Sequence, residues 1–273
     1  MASAVSRMQI YILVLAAVIV TGVAGFMALE GLSLVDAFYF SIVTIATVGY
    51  GDISPATDAG KLLAVLLIVA GVGTFVGVVA NGLEMYLSSR EKQARLRKIN
   101  MVVGVFFSMV GTPCLRDWAG RDQGIDGIRD ALLVTAAWTK KEYNHAASRL
   151  ARYDSGPVMS PADLVGMRTC LEEQRDFLLR LLENPVLFEQ EAFTDLLRAM
   201  FHLSEELGHR GDRLDSLPEA DMAHLLVDAK RAYLMLIPQW LQYMRHLQDT
   251  YPYLFSLAVR TNPFNPEASP VID

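Results

Sequence analysis

Five consecutive residues of this chain have the types and the order needed to bind a dehydrated cation through the backbone: Thr47, Val48, Gly49, Tyr50 and Gly51. Carbonyl oxygens of such a loop, arranged in rings around one axis, can replace the hydration shell of a potassium ion. Gly49 and Gly51 can adopt backbone angles that side chains disfavour, which lets successive carbonyls point towards the same axis. The pattern therefore predicts a binding path for potassium ions at residues 47–51.

The side chains of this segment have separate expected roles. Val48 and Tyr50 should turn outward, where their bulk packs against surrounding helices and holds the width of the path. Thr47 adds a hydroxyl oxygen at the inner end, and Asp52 places a negative charge at the outer mouth. In this interpretation K+ is the permeant ion, and no other cofactor is predicted.

Two long apolar segments flank residues 47–51. Residues 8–29 contain no charged side chain. As a helix they would be roughly 33 Å long, enough to cross a bilayer core of about 30 Å. A second apolar run begins at Lys61, and we expect it to continue as a helix to residue 88. Both segments are predicted to be transmembrane helices in a lipid bilayer, within an all-α membrane protein.

A shorter helix is predicted between the two apolar segments. Ser33 and Asp36 stand at the spacing of a capping box, and the helix that they open should cover residues 34–46. It is too short to cross a membrane, and it leads directly into residues 47–51. Irregular backbone is tolerated at membrane depth only inside protein or beside water. We therefore expect a re-entrant pore helix followed by a filter, within a pore domain that covers residues 1–88.

The first apolar segment also has features of a cleaved signal peptide, because Arg7 precedes it and small residues lie near its end. Its length favours a transmembrane helix, and removing it would leave the pore helix without an outer wall. Basic residues that follow the second segment include Arg90, Lys92, Arg95, Arg97 and Lys98, whereas the connecting loop is mainly acidic. By the positive-inside rule, both termini are predicted to lie in the cytoplasm.

The segment from Val43 to Phe75 resembles the pore of two-helix prokaryotic potassium channels and is most similar to the calcium-gated type. The resemblance implies a homotetramer in a prokaryotic cytoplasmic (inner) membrane, with one central pore and passive conduction of K+. A non-selective cation channel of similar build is the alternative. Tyr50 argues against it, because the resembling non-selective channels carry an aspartate there. Some members carry a glutamate at the position of Val43, so a carboxyl pairing with Asp52 is not expected.

The second apolar segment contains three glycines within seven residues: Gly71, Gly73 and Gly77. Glycine weakens a helix by roughly 0.5–1 kcal/mol relative to alanine, so these positions are candidate hinges at the inner mouth. The other interpretation is close packing, because small residues let membrane helices approach one another. Glu84 could contribute to a ring of carboxylates that concentrates cations, or it could be a solvated residue near the helix end. No apolar segment carries the repeated arginines of a voltage sensor, so gating is expected to depend on the tail.

The rest of the chain is predicted to be a basic linker at residues 89–100 and a cytoplasmic tail at residues 101–273. From residue 99 onward there are 17 Lys and Arg against 24 Asp and Glu, and this acidic balance predicts no nucleic-acid partner. Cys114 and Cys170 are far apart in the sequence, and a structural disulfide is not expected in the cytoplasm. No arrangement of serine, cysteine or carboxylates suggests an enzyme.

The tail is predicted to be mostly helical. Residues 125–138 and 140–153 form short amphipathic stretches, and Ser160-Pro161 marks the start of a helix that should end before Pro185. Further helices are expected at residues 191–207, 219–248 and 251–260, with a kink at Pro238. Residues 101–109 are ambiguous, since their β-branched side chains would also suit a buried strand. The glycines and strand content match neither a dinucleotide-binding nor a cyclic-nucleotide-binding module.

Two groups of residues in the tail are candidate binding sites. His202, Glu205, Glu206 and His209 recur at near-helical spacing and could hold a divalent metal or form a solvated face. Six aromatic residues could line a ligand pocket or pack in the core and at subunit contacts: Tyr233, Trp240, Tyr243, Tyr251, Tyr253 and Phe255. The tail is thus either a sensor for an unknown gating ligand or cytoplasmic partner, or a scaffold for assembly and docking.

Overall fold

The computed structural model describes residues 2–271, with the side chains of residues 2–4 and 189 excepted. Over this range the chain forms helices and no strand, and Asp122 and Pro157 form an isolated antiparallel bridge. The prediction of an all-α protein is confirmed. The chain divides into two compact units, one up to Ala94 and the other from Arg95 onward.

Three helices build the first unit: α1 (Ala2–Glu30), α2 (Leu34–Ile45) and the beginning of α3 (Asp58–Phe106). By length and composition, α1 and α3 are each able to cross a membrane, whereas the apolar α2 is too short. The helix α2 ends one residue earlier than predicted, because Ala46 has left helical geometry and acts as the C-cap.

The core of the first unit is small and consists of side chains from all three helices. Phe26 of α1 and Phe40 of α2 meet edge to face, with ring centroids 4.8 Å apart. Leu67 of α3 is buried in the same cluster. Small residues bring the helices close together, since a methyl group added at Gly25 would lie 2.4 Å from Leu63 Cδ2. These contacts hold the short α2 between the two long helices.

The helix α3 is much longer than the predicted inner helix. It continues through residues 89–100, which we expected to be a linker, and ends only at Phe106. Residues 101–106 are therefore helical and do not form the alternative strand. A single turn of π-helix, Phe107–Gly111, follows directly.

The second unit contains the end of α3 and a series of further helices. In chain order these are α4 (Thr112–Ala119), α5 (Lys140–Leu150), α6 (Pro161–Glu173), α7 (Arg175–Leu182), α8 (Glu191–Arg210), α9 (Glu219–Thr250) and α10 (Pro252–Arg260). Short 3-10 turns lie at Ile125–Gly127, Arg129–Leu132, Leu187–Glu189 and Gly211–Ser216. The central helix is α9, which contacts α4, α5, α8 and α10.

The capping residues at the start of α6 lie where the sequence predicted them. Asp163 Oδ2 accepts a hydrogen bond from Ser160 N at 2.8 Å, and Ser160 Oγ accepts one from Asp163 N at 3.3 Å, so α6 begins where predicted. It does not run unbroken towards Pro185. At Gln174 the backbone N–H bonds to Leu171 O, the last turn tightens, and α7 begins as a separate helix. Pro238 lies inside α9, which continues on both sides of it.

The predicted amphipathic helix at residues 125–138 is wrong. The segment forms two 3-10 turns followed by irregular backbone. Two of its backbone carbonyls accept hydrogen bonds from side chains distant in the sequence. Asn262 Nδ2 donates to Leu132 O at 2.8 Å, and the Arg149 guanidinium donates to Gly127 O. Tertiary hydrogen bonds therefore override the local pattern.

The two cysteines are distant in sequence but close in the fold. Cys114 of α4 and Cys170 of α6 are both free thiols and line the same cavity. A hydrogen bond from Cys114 favours the thiolate of Cys170 and lowers the pKa of that thiol to about 7.

Candidate ion pathway

The short helix α2 points its C-terminal end at the glycine-containing segment. Ser33 caps its start, because Ser33 Oγ accepts a hydrogen bond from Asp36 N at 3.1 Å, as the capping-box signal predicted. At its other end Ile45 is buried in the core of the first unit. Backbone N–H groups of the following residues turn back onto the helix, with Val48 N donating to Val43 O at 3.0 Å. The segment is thus attached to the end of α2.

Backbone angles alternate along residues 47–51. Gly49 and Gly51 have φ values of +57° and +76°, as predicted, and Thr47 has a φ of +59°. Val48 and Tyr50, between them, are not in this region. When the sign of φ changes at every second residue, successive carbonyl groups can point to the same side of the chain. In a regular strand, successive carbonyl groups point to opposite sides. The sequence did not reveal the angle at Thr47, which is unusual for a β-branched residue and marks stored local strain.

The bulky side chains of this segment are largely uncovered within one chain. Val48 is 52% exposed and Tyr50 is 72% exposed. Gly49 and Gly51 are also open, since a methyl group added at either would meet no atom within 4 Å. Steric crowding inside the chain therefore does not explain the two glycines, and their positive φ angles do.

Asp52 is braced by a residue that sequence reasoning missed. Tyr39, on α2, donates a hydrogen bond from its hydroxyl to Asp52 Oδ2 at 2.9 Å. The other carboxylate oxygen accepts a hydrogen bond from Ile53 N at 3.1 Å. Val43 indeed supplies no carboxyl group, but a tyrosine hydroxyl ties the outer residue to α2 instead. The sequence feature that could have indicated this contact is a tyrosine on α2 whose hydroxyl can extend as far as Asp52.

A second brace joins the end of α1 to the loop before α3. The Glu30 carboxylate accepts hydrogen bonds from Ala56 N at 2.9 Å, from Thr57 N at 3.1 Å and from Thr57 Oγ1 at 2.6 Å. A methyl group added at Gly60 would lie 1.7 Å from Glu30 Oε1, so a larger residue here would displace the Glu30 carboxylate. Sequence reasoning treated Glu30 only as part of an acidic loop.

Comparisons with known proteins find a matching family for each unit. An ion-channel family model matches residues 13–88. A second family model, described as the C-terminal helical domain of the uncharacterized protein MJ1433, matches residues 95–260 and so covers more than half of the chain. The protein MJ1433 of Methanocaldococcus jannaschii is 45% identical over 200 residues, which are 73% of this chain and 80% of that protein.

The chain belongs to the MJ1433 family.

Potassium channels match a shorter part of this MJ1433-family chain. Potassium channel protein 1 of M. jannaschii is 42% identical over 74 residues, 27% of this chain and 22% of that protein. Two-pore potassium channel 4 of Arabidopsis thaliana is 47% identical over 66 residues, 24% of this chain and 23% of that protein. The match to these channels thus spans under a quarter of their own length. The resemblance to a potassium-channel pore is confirmed, and the protein is a membrane channel and not an enzyme.

The three glycines of the inner helix have different surroundings in this MJ1433-family protein. A methyl group at Gly71 would lie 2.5 Å from Ile45 Cγ1, and one at Gly77 would lie 2.7 Å from Tyr11 Cε1. A methyl group at Gly73 would meet nothing within 4 Å. Close packing within the chain therefore accounts for Gly71 and Gly77, but not for Gly73. Glu84 is exposed.

The six aromatic residues of the tail have different surroundings. Tyr233 and Phe255 are buried in the core, and Tyr253 is exposed. Trp240, Tyr243 and Tyr251 contribute to the lining of a largely apolar cavity of about 640 Å³ within the second unit. Arg116 and His246 bring polar groups to its wall.

The predicted metal group on α8 is not assembled as expected. His202 and Glu206 share one face of the helix, but Glu205 faces Arg175 at 3.5 Å and lines another cavity together with His209. A helix turns by about 100° per residue, so positions 205 and 209 lie on the face beside positions 202 and 206. The four side chains do not converge.

Proposed function

We propose that this protein is the subunit of a potassium-selective channel through which K+ diffuses down its electrochemical gradient. In this proposal the ions are held by backbone carbonyls, with the threonine hydroxyl at the inner end, and pass between adjacent sites. The residues assigned to the filter are Thr47, Val48, Gly49, Tyr50 and Gly51. Asp52 is assigned to the outer mouth.

The observation that carries the proposal is the alternation of positive φ at Thr47, Gly49 and Gly51 directly after a short membrane-type helix. A turn that happened to contain two glycines would not need a strained threonine two residues before the first of them. The hydrogen bond from Tyr39 to Asp52 supports a segment whose outer end must be held in place.

A homotetramer is supported by the surfaces that one chain leaves uncovered. Four copies would supply the four filter segments of one pore, and neighbouring copies would cover Val48 and Tyr50, which are exposed in one chain. Lipid would cover the remaining apolar surface of α1 and α3. The basic residues between Arg90 and Lys98 support a position of both termini in the cytoplasm of a prokaryotic cell, at its inner membrane.

The filter is tested by measuring K+ flux into liposomes that contain a Gly49→Val variant. Valine strongly disfavours a φ of +57°, so the carbonyl pattern should be lost and flux should be abolished while the oligomer persists. Gly31 is the matched control, because it has a φ of +67° and equally open surroundings but lies outside the filter.

Gly31→Val should conduct K+ when the reconstituted amounts are matched. Unchanged flux through Gly49→Val, at equal oligomer content, would overturn the assignment of residues 47–51 as the filter. Equal flux of Na+ and K+ through the unmodified protein would instead favour a non-selective cation channel.

We propose that the second unit controls opening of the pore. The support is that one continuous helix, α3, supplies residues to both units. The test compares flux through the whole chain with flux through a chain ending at Ala94, at equal amounts of oligomer. A change in flux supports gating by the second unit, whereas equal flux with a lower yield of oligomer supports an assembly scaffold.

Gly73 is our proposed hinge among Gly71, Gly73 and Gly77, because packing within the chain gives no other reason for its lack of a side chain. Glu84 is exposed and stays a candidate for the inner mouth. Glu84→Gln should lower K+ conductance at low ionic strength if four carboxylates concentrate cations there, and should leave it unchanged otherwise.

A further inference from the structure

Two histidines and two carboxylates of the second unit converge between helices α8 and α9. His202 and Glu206 lie one turn apart on α8, and His224 and Asp228 lie one turn apart on α9. The Nε2 atoms of His202 and His224 are 3.6 and 3.4 Å from Asp228 Oδ2. Each imidazole also approaches a Glu206 oxygen, at 4.0 Å for His202 and 3.7 Å for His224.

Asp228 is the unusual member of this group. Its side chain is only 3% exposed, and Oδ2 accepts no hydrogen bond. Its other oxygen, Oδ1, faces the Arg231 guanidinium at 3.2 Å. Burial of a carboxylate oxygen without a hydrogen-bond partner is costly, and a cation held between Oδ2 and the two imidazole nitrogens would offset that cost.

The spacing of the four groups suits a tetrahedral transition-metal site. Zinc bonds to imidazole nitrogen and carboxylate oxygen are about 2.1 Å long, which places neighbouring ligand atoms about 3.4 Å apart. The distances to Asp228 Oδ2 are close to this value. Pairs of side chains one helical turn apart are a common way to present two ligands to one ion. Two imidazoles argue against Ca²⁺ and Mg²⁺, which take oxygen ligands.

We propose that His202, His224, Asp228 and Glu206 bind one divalent transition-metal ion of the Zn²⁺ type. As the side chains stand, no group of three or more His, Cys, Asp or Glu among the described residues is placed to hold a metal ion. Closure requires side-chain rotation, and the two imidazoles are free to rotate because they are about half exposed. Arg210 holds Glu206 at 2.6 Å and is the outer partner of that ligand.

This site goes beyond the proposed channel function and does not depend on it. The ion would cross-link α8 to α9, the central helix of the second unit. Its binding is measured on the purified full-length protein without any measurement of flux, so failure of the metal site and failure of the pore assignment are distinguishable.

The test begins with the full-length protein freed of metal by EDTA and dialysis, and then titrated with Zn²⁺ or with Co²⁺ as a coloured probe. We expect one ion per chain, the visible absorption bands of tetrahedral Co²⁺, and a rise in thermal midpoint with Zn²⁺ concentration. His202→Gln and His224→Gln should each weaken binding at least tenfold and remove the Co²⁺ bands. Asp228→Asn should do the same.

The matched control is His209→Gln, on the same helix but outside the group. It should bind Zn²⁺ and Co²⁺ as the unmodified protein does. If Asp228→Asn fails to fold, the two histidine variants still decide the matter, since their side chains are about half exposed. The proposal is overturned if both histidine variants bind Zn²⁺ with the affinity of the unmodified protein, or if His209→Gln loses as much Zn²⁺ affinity as they do. It is also overturned if the unmodified protein retains no more Zn²⁺ than a His202→Gln/His224→Gln double variant.

Discussion

The two units of this protein are built from the same kind of element but have opposite relations to their surroundings. In the first unit the long helices expose their apolar residues, with Leu13 70% and Val69 72% exposed. In the second unit most apolar residues of α9, such as Leu236 and Trp240, are almost completely buried. The second unit makes a large core of its own, whereas the first has a small core and leaves many apolar side chains uncovered within one chain. Apolar character alone thus does not show whether a residue is internal.

The sharpest test of this comparison is a pair of leucine substitutions. Leu236→Ala should lower the free energy of unfolding of the second unit by about 2–5 kcal/mol, because it opens a cavity in a closed core. Leu66→Ala, at a position that is 66% exposed, should leave the unfolding of the second unit unchanged. Urea unfolding followed by tryptophan fluorescence is selective, because Trp118, Trp138 and Trp240 all lie in the second unit. Equal midpoints for the two variants would contradict the contrast between the units.

The next largest effect is expected at the glycines of the first unit. Gly71→Ala should destabilise the oligomer by about 1–3 kcal/mol, since the added methyl group would lie 2.5 Å from Ile45 Cγ1. Gly73→Ala has space and should keep stability or raise it slightly. Thermal survival of the oligomer in gel filtration measures both. If Gly73→Ala keeps stability but changes open probability in single-channel records, the hinge is at that residue. The reverse order of stability would contradict the packing at Gly71.

A smaller effect is expected at the outer end of the filter. Tyr39→Phe removes one hydrogen bond to Asp52, worth about 0.5–1.5 kcal/mol. The outer residues should become less constrained, and K+ current should decline faster during sustained recording. Tyr11→Phe is the control, since it makes the same chemical change on α1 away from the filter. A decline equally fast in the control would show that the Asp52 contact is not the cause.

The smallest expected effect is an acid-dependent loss of stability in the second unit. Hydrogen bonds from Ser160, with a contribution from Arg121, lower the pKa of Asp163 from its usual 3.8 to about 2. Because the folded pKa is depressed, this stabilisation is fully present above about pH 4 and is lost as pH falls towards 2. The tryptophan-detected unfolding midpoint should therefore fall over this window. Asp163→Asn should flatten that part of the profile, and an unchanged profile would contradict the prediction.

Features carried by contiguous residues were predictable from the sequence. The positive φ angles of Gly49 and Gly51 and the caps at Ser33 and Ser160 depend on neighbours within a few positions. The segment at 125–138 failed because Arg149 and Asn262 take its carbonyls. No local pattern contains that information, since the two partners come from elsewhere in the chain.

The sequence alone predicted a membrane unit with a potassium-type filter and a helical tail. It did so because the residue types of the filter occupy five adjacent positions, and because a long helix without charged residues is typical of a lipid bilayer. Only the tertiary structure decided which side chains meet across elements, as Tyr39 meets Asp52 and as His202 of α8 meets Asp228 of α9. Such meetings depend on helix rotation and packing, and a shift by one residue turns a helical side chain by about 100° to another face.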